Sequence, residues 1–421
     1  MTGRERSTDV LNRILTERKA EPRDAGLLHE LVMGVLRRRL ALEAVVSTFI
    51  RRPLDSADPL VVEILLVMAY QALFLGRVPS HARVSSAVDA ARRAKGEGAS
   101  RFVNAVGRAL EDSLARGIDL LGPLEPSVRT SIPPFILEQA RRIEGAAWTD
   151  DLLESLALPA PVSLRVNRRV SDREGLVAIL DGMGSAPTNS PWARDGVRVA
   201  DGSPLRSRKV IPRLAIPQDE ASQLVVEALV PRDGERILDL CAGVGVKTSQ
   251  ILATAPGSDV LAVDLDPARL QRAVALCRAM ELPAPGTLAC DARHMPADLD
   301  GRFDAILLDA PCTGLGTLVR RPEVRYVRRN EDIARAASMQ REILGAAVRL
   351  LRPGGRIVYA VCSFATEEGQ DVLASVLAQR PDLSREPAPG PDSLRTPDGD
   401  LLTLPWRHGM DGFHIAMLRR T

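Results

Sequence analysis

Apolar positions recur at helical spacing through the first quarter of the chain. Beyond residue 218 they give way to short apolar runs separated by helical stretches. At the front, Leu27, Leu28, Leu31, Val32, Val35 and Leu36 follow Asp24, a residue type that caps helices, and Leu60, Ile64, Leu65, Met68, Ala72 and Leu73 follow Asp58 and Pro59. Two further stretches run from Pro79-Ser80 through Val84 and Val88, and from Phe102 through Val106 and Leu110. Nothing in residues 1–120 reads as a strand, so an all-α bundle is expected there. Residues 130–210 mix their periods: a helix near 134–143, an alternating strand at 162–166, a helix near 173–182, then short strands among Gly and Pro. That predicts a small α+β subdomain. From Gln218 the candidate strands are 236–241, 259–264, 287–290, 303–309, 356–361 and 413–418, alternating with helices as a doubly wound parallel α/β sheet requires. The expected domains are 1–125, 130–212 and 213–421.

Composition narrows the class. A chain of 421 residues with 45% hydrophobic and 26% charged side chains is globular and too long for one ordinary domain. Its longest apolar stretch, 60–75, is interrupted by Glu63 and Gln71 and falls short of the roughly 20 residues a membrane span needs, so no membrane is expected. The start, Met1-Thr-Gly-Arg-Glu-Arg6, carries both signs of charge and no apolar signal-peptide core, which predicts a cytoplasmic location. Cysteines at 241, 277, 290, 312 and 362 are odd in number and form no C-x-x-C pair. Reduced thiols are expected, with neither a disulfide framework nor a metal site. The net charge of +2 exerts no general pull on polyanions. Because only Lys19, Lys95, Lys209 and Lys247 are lysines, arginine clusters carry less weight than a single lysine does.

Chemistry gathers at the ends of the predicted parallel strands, where open α/β sheets bind ligands. Ile237-Leu-Asp-Leu-Cys-Ala-Gly-Val-Gly-Val-Lys-Thr248 is a strand entering a Gly-bearing turn and a helix. Thr248 breaks the dinucleotide fingerprint, and Val246 with Cys241 breaks the phosphate loop. Cys241, Ala242, Gly243, Val244, Gly245, Val246 and Lys247 therefore form a candidate nucleoside loop. Asp264 ends the next strand, placed for ribose hydroxyls, and Asp291 the third, placed for an adenine edge. With no group set out for a pyrophosphate, S-adenosylmethionine fits. Lys247 reads either as part of that site or as a solvated lysine at a helix start.

Asp309 ends a buried strand and Cys312 sits in the Pro turn after it, in Asp309-Ala-Pro-Cys-Thr-Gly-Leu-Gly316. Cys362 follows another buried strand in Tyr359-Ala-Val-Cys-Ser363, with Glu367 and Glu368 expected to open a helix whose dipole favours a thiolate. Cys277 and Cys290 read as buried hydrophobes. Arg320, Arg321, Arg325, Arg328 and Arg329 form a candidate phosphate-contacting cluster or a solvated surface, as do Arg37-Arg38-Arg39 and Arg92-Arg93.

From about residue 130 these motifs resemble the RNA (cytosine-5) methyltransferases, which carry a cofactor loop ending Gly-Lys-Thr, an Asp-Ala-Pro-Cys-Ser-Gly-x-Gly loop and a Thr-Cys-Ser turn. The front, with Ala69-Tyr-Gln-Ala-Leu-Phe-Leu75, Arg77-Val-Pro79 and Phe102-Val-Asn-Ala105, resembles the NusB-like domain fused to bacterial members. Leu164-Arg-Val-Asn167 and Gln218-Asp-Glu-Ala-Ser222 extend the similarity over nearly the whole chain. The resemblance implies an all-α NusB-like bundle, a small RRM-like subdomain and a Rossmann-like methyltransferase. It further implies S-adenosyl-L-methionine as cofactor and 16S rRNA as partner, met in a loop, an opened helix or a partly assembled subunit. By the same resemblance Cys362 would add to C6 of a cytosine, Cys312 would assist release, and Asp309 would hold the base and also border the cofactor. Val244 and Val246 depart from the usual proline and second glycine, Val361 from threonine, and His414 from an aromatic residue. A non-catalytic RNA-binding assembly factor with a degenerate cofactor loop is the rival expectation, and a methyltransferase acting on another RNA or on protein a third.

Overall fold

The computed structural model describes residues 7–19, 21–200, 202–207 and 209–421, so the stretch Met1–Arg6 read above for targeting lies outside the described residues. The chain divides into two compact units, one comprising residues 1–158 with 321–327 and the other residues 159–320 with 328–421.

The first unit is helical. Its long helices are Ser7–Glu17, Pro22–Ser47, Pro59–Phe74 and Ser80–Ala115, the last three packed around Leu42, Leu65, Leu66, Met68, Val103 and Leu110. Asp58 caps its helix by accepting the Leu60 N–H at 2.9 Å. Asp24 does not cap: it lies inside the first turn, because Pro22 already sets the helical φ at the start. The two stretches expected at 80 and 102 are a single run broken at Gly96, whose φ of +80° interrupts the helix. The helix Pro134–Glu144, expected in the small subdomain, belongs to this unit, where Ile132, Ile136 and Ala140 are fully buried.

The second unit carries two sheets. Four strands, β1 (Val162–Val166), β2 (Thr188–Asn189), β3 (Gly196–Val199) and β4 (Ala215–Pro217), form an antiparallel sheet in the order β2-β3-β1-β4 with the helix Arg173–Gly182. The larger sheet comprises β5 (Arg236–Leu240), β6 (Asp259–Asp264), β7 (Gly286–Ala289), β8 (Phe303–Asp309), β9 (Leu351–Val361), β10 (Leu383–Glu386), β11 (Leu401–Leu402) and β12 (His414–Arg420). Its order is β10-β12-β9-β8-β5-β6-β7, with β11 beside β12. Strands β5 to β9 are parallel. β12 runs antiparallel to β9, so the sheet is mixed rather than all parallel. Isoleucines, leucines and alanines fill β8 because helices cover both faces of a doubly wound sheet. The chain leaves β5 towards β6 on one side and returns through β8 on the other. This reversal is the switch point at which strand ends open a crevice.

Two motifs singled out in the sequence serve as joints inside this unit. The fully buried Arg165 donates from Nη2 to Ser249 Oγ at 2.7 Å, and Asn167 Nδ2 donates to the Arg213 and Met280 carbonyls at 2.9 and 2.7 Å. Asp219 caps the helix Glu220–Leu229 and accepts from Arg320 Nε at 3.0 Å, while Glu220 takes both Nε and Nη2 of Arg198.

Candidate active site

Strands β5 and β8 flank the switch point, and their following loops bring the predicted residues together. After β5 the backbone is left-handed at Cys241 (φ +72°), Gly243 (φ +60°) and Gly245 (φ +81°) before the helix Val246–Thr254 begins. A Cβ on Gly245 would lie 2.5 Å from that of Ala273, so this glycine also permits close packing. Val244 and Val246 both keep φ outside the left-handed region, and Val246 starts the helix. The positions of this loop that need special backbone angles retain glycine, or in one case Cys241. A non-glycine there stores about 1–3 kcal/mol of strain, a feature typical of functional loops.

Asp264 fastens this loop, Asp239 the helix that follows it, and Asp291 lies just beyond β7. Asp264 Oδ2 accepts the Gly243 N–H at 2.9 Å and its Oδ1 the Asp266 N–H at 2.9 Å. Asp239, missed in the sequence, accepts the Thr248 hydroxyl at 2.5 Å, and its other oxygen is buried without a hydrogen-bond partner. Burial pushes its carboxyl up to about 6. Asp291 is bound by both Nε and Nη2 of Arg293, at 3.0 and 2.7 Å, which holds its carboxyl well below the usual range. Beside Gly243 there is open space where a side chain would stand. The open space beside Gly243 and the Asp264 carboxylate at the end of β6 suit a nucleoside cofactor.

Lys247 is not solvated. Its Nζ lies 2.5 Å from Asp309 Oδ2 and 5.4 Å from the Phe413 ring centroid. Burial alone would lower its affinity for a proton, but Asp309 outweighs it and the ammonium is held above its usual value, with Cys362 adding to that stabilisation. The signal available beforehand was its position on the cofactor loop. Its partner 62 residues away had no local signature.

The two candidate thiols meet. Cys312 Sγ and Cys362 Sγ are 3.1 Å apart. That contact, reinforced by burial and by Cys362, Glu368 and Asp309, pushes the Cys312 thiol well above its usual value. Cys312 therefore keeps its proton and can donate it towards Cys362. The expected helix dipole at Cys362 is absent: residues 366–369 form a turn and the helix starts at Gln370, beyond the one-turn reach of such an effect. Backbone bonds hold the two turns together, from Gly316 N to the Cys362 carbonyl at 3.1 Å and from Gly412 N to the Gly316 carbonyl at 2.8 Å.

The remaining candidates separate by burial. Cys277 is fully buried in the core, as expected, whereas Cys290 is half-buried with its thiol facing the Asp291 and His294 carbonyls. Cys241 is half-buried on the cofactor loop, and desolvation pushes its thiol up. His414 pairs in register with Val361, and its Nε2 lies 2.7 Å from Asp400, so the two departures from the family pattern sit side by side. Arg325 leaves the phosphate cluster. Its buried guanidinium donates to the carbonyls of Arg37, Thr130 and Leu156 at 2.9, 3.2 and 2.6 Å, and burial lowers it to about 10. Arg320 is spent on Asp219 and Asp411, and Arg328 on the Thr313 carbonyl, while Arg329 is exposed.

Residues 226–419 fit the model of the 16S rRNA methyltransferase RsmB/F family, residues 2–112 that of the NusB family, and residues 132–206 that of the RsmF/B-like ferredoxin-like domain. Ribosomal RNA small subunit methyltransferase B of Vibrio cholerae is 33% identical over 413 residues, covering 96% of this chain and 91% of that protein. Its counterpart in Pseudomonas putida is 34% identical, covering 95% and 91%. Among solved structures, PH0851 superposes with a TM-score of 0.83 at 24% identity over 97% of this chain and 93% of its own, a likeness of fold. A methyltransferase homologue from Pyrococcus horikoshii gives 0.57 at 25% identity over 69% of this chain and 100% of its own. The chain belongs to the RsmB/F family of rRNA methyltransferases in its NusB-fused form, and its cofactor is S-adenosyl-L-methionine.

Proposed function

We propose that this protein methylates C5 of a cytosine in 16S rRNA through a transient covalent bond to Cys362. The observation that carries the reading is the 3.1 Å contact between Cys312 and Cys362 beside the Lys247–Asp309 pair. Two thiols so close, one protonated and one near an ammonium, divide the work of nucleophile and proton carrier. The names of the relatives, which specify small-subunit rRNA, support the substrate.

When bound on the loop 241–247, S-adenosyl-L-methionine supplies the methyl group. The Cys362 thiolate forms a bond to C6, and the electron pair of the C5–C6 double bond moves into the ring, making C5 nucleophilic. The Asp309 carboxylate accepts the hydrogen bond of the exocyclic amine and orients the base, while Lys247 sets the orientation of that carboxylate and its ammonium offsets the negative charge displaced towards N3. Once C5 carries the methyl group its proton passes to water, the C5–H electron pair re-forms the C5–C6 double bond, and the C6–S bond breaks with its electron pair going to Cys362. Cys312, in contact with the departing sulfur, delivers the proton that makes it a good leaving group. The base must be out of its stack to reach Cys362, so a loop or opened helix is the substrate form.

Deproteinised small-subunit RNA provides the test. Cys362→Ala should abolish 5-methylcytosine, and unchanged methylation with that variant would refute the mechanism. Cys312→Ala should leave a protein–RNA adduct that survives on a denaturing gel.

A further inference from the structure

We propose that Glu368 is a positioning residue for the two-thiol chemistry, a buried carboxylate that ties the turn bearing Cys312 to the turn bearing Cys362. The inference rests on the covalent reading above and assigns the part of the protein that holds the sulfurs in register.

Glu368 is fully buried in the turn between β9 and the helix Gln370–Gln379. Both carboxylate oxygens are taken by donors from three separate elements. Oε2 accepts the Thr313 N–H at 2.8 Å and Gln340 Nε2 at 3.0 Å, and Oε1 accepts the Ser363 hydroxyl at 2.6 Å together with the Thr313 hydroxyl. Thr313 follows Cys312 and Ser363 follows Cys362. Gln340 also donates to the carbonyl of Pro311, the residue before Cys312, at 2.9 Å. The turn itself is pinned by the Tyr359 hydroxyl, which donates to the Glu368 carbonyl at 2.6 Å.

Taking a carboxylate out of water costs several kcal/mol, and the fold offsets this with four donors. A neutral side chain of the same shape cannot accept all four: a glutamine has one accepting oxygen, and its N–H groups would face either the Thr313 amide and Gln340 or the Ser363 and Thr313 hydroxyls, which would have to reverse to accept them. The turns would then part, and displacement of a reacting group by about 1 Å costs about a hundredfold in rate. The charge has a second effect in the same direction, since Glu368 is among the groups that keep the Cys312 proton in place.

The full-length Glu368→Gln protein, assayed with deproteinised small-subunit RNA, tests this. Expected results are S-adenosylmethionine affinity within about twofold of the parent by calorimetry, an almost unchanged KM for RNA, and kcat lowered about a hundredfold. The protein–RNA adduct should also outlive that of the parent, towards the behaviour of Cys312→Ala, which loss of structure alone would not produce. Ser363→Ala, which removes one donor and leaves the carboxylate, should lower kcat about tenfold and decides the matter should Glu368→Gln not fold. Parental kcat in either folded variant, or a loss explained wholly by weaker cofactor binding, overturns the role of Glu368. Activity retained by Cys362→Ala would instead overturn the covalent reading itself, so the two failures are distinguishable.

Discussion

Replacing Asp239 with asparagine should make the protein more heat-resistant, and more so at pH 8 than at pH 5. The carboxyl of Asp239 is buried on β5, with one oxygen bound by Thr248 and the other without a hydrogen-bond partner, and burial raises it from an ordinary 3.8 to about 6. A folded-state carboxyl raised in this way favours folding when protonated. That contribution is complete below the unfolded value and is lost as pH rises through about 6. The full span is worth about 3 kcal/mol, of which roughly 1.4 kcal/mol falls between pH 8 and pH 5. Asparagine still accepts from Thr248 but does not titrate, and whatever its amide nitrogen costs is the same at both pH values. The stability gap between variant and parent should therefore shrink by about 1.4 kcal/mol on going from pH 8 to pH 5. For a unit of this size that is roughly 3–6 °C in the difference of melting temperatures, measured by scanning calorimetry. A gap that stays constant with pH would refute the burial argument.

Three other substitutions probe neighbouring claims. Gly316→Ala places a Cβ 1.8 Å from the Gly412 carbonyl oxygen, where neither backbone can retreat. It should cost at least about 3 kcal/mol by calorimetry or displace the Cys312 turn and abolish methylation. Val246→Gly should leave S-adenosylmethionine affinity within about threefold of the parent by calorimetry while costing about 1 kcal/mol of stability, because Val246 is a helical position. Arg325→Ala should destabilise by about 3–5 kcal/mol without changing the salt dependence of RNA binding, whereas Arg329→Ala should flatten that dependence, as filter binding across a salt series would show.

The parallel strands were legible because a strand buried on both faces has to be continuously apolar. The pattern at 303–309 accordingly matched β8 at both ends. The direction of β12 was not, since an antiparallel edge strand and a parallel one share the same period. Cys312 and Cys362 could be placed at strand ends, but their contact depends on the β8–β9 register and on the Gly316–Gly412 approach. Lys247 with Asp309, and Glu368 with Thr313, are joined across 62 and 55 residues by charge and hydrogen bonding, which leave no periodic trace in the chain. The arginine cluster illustrates the reverse: adjacent in sequence, its members divide between buried carbonyl clamps and solvent because the segment 321–327 packs into the helical unit.

The Lys247–Asp309 pair has a thermodynamic consequence. Lys247 lies in the first turn of the helix that follows β5, while Asp309 closes β8, so on the proposed covalent reading one ion pair is shared by the walls of the cofactor and base sites. A base that draws hydrogen bonds from Asp309 alters the hold of that carboxylate on Lys247, and with it the loop around the cofactor. Linkage requires the reverse effect to be equal: whatever factor the cofactor contributes to RNA affinity, RNA must contribute to cofactor affinity. On that reading the two substrates would share a coupling free energy, with this ion pair as the contact through which each registers the presence of the other.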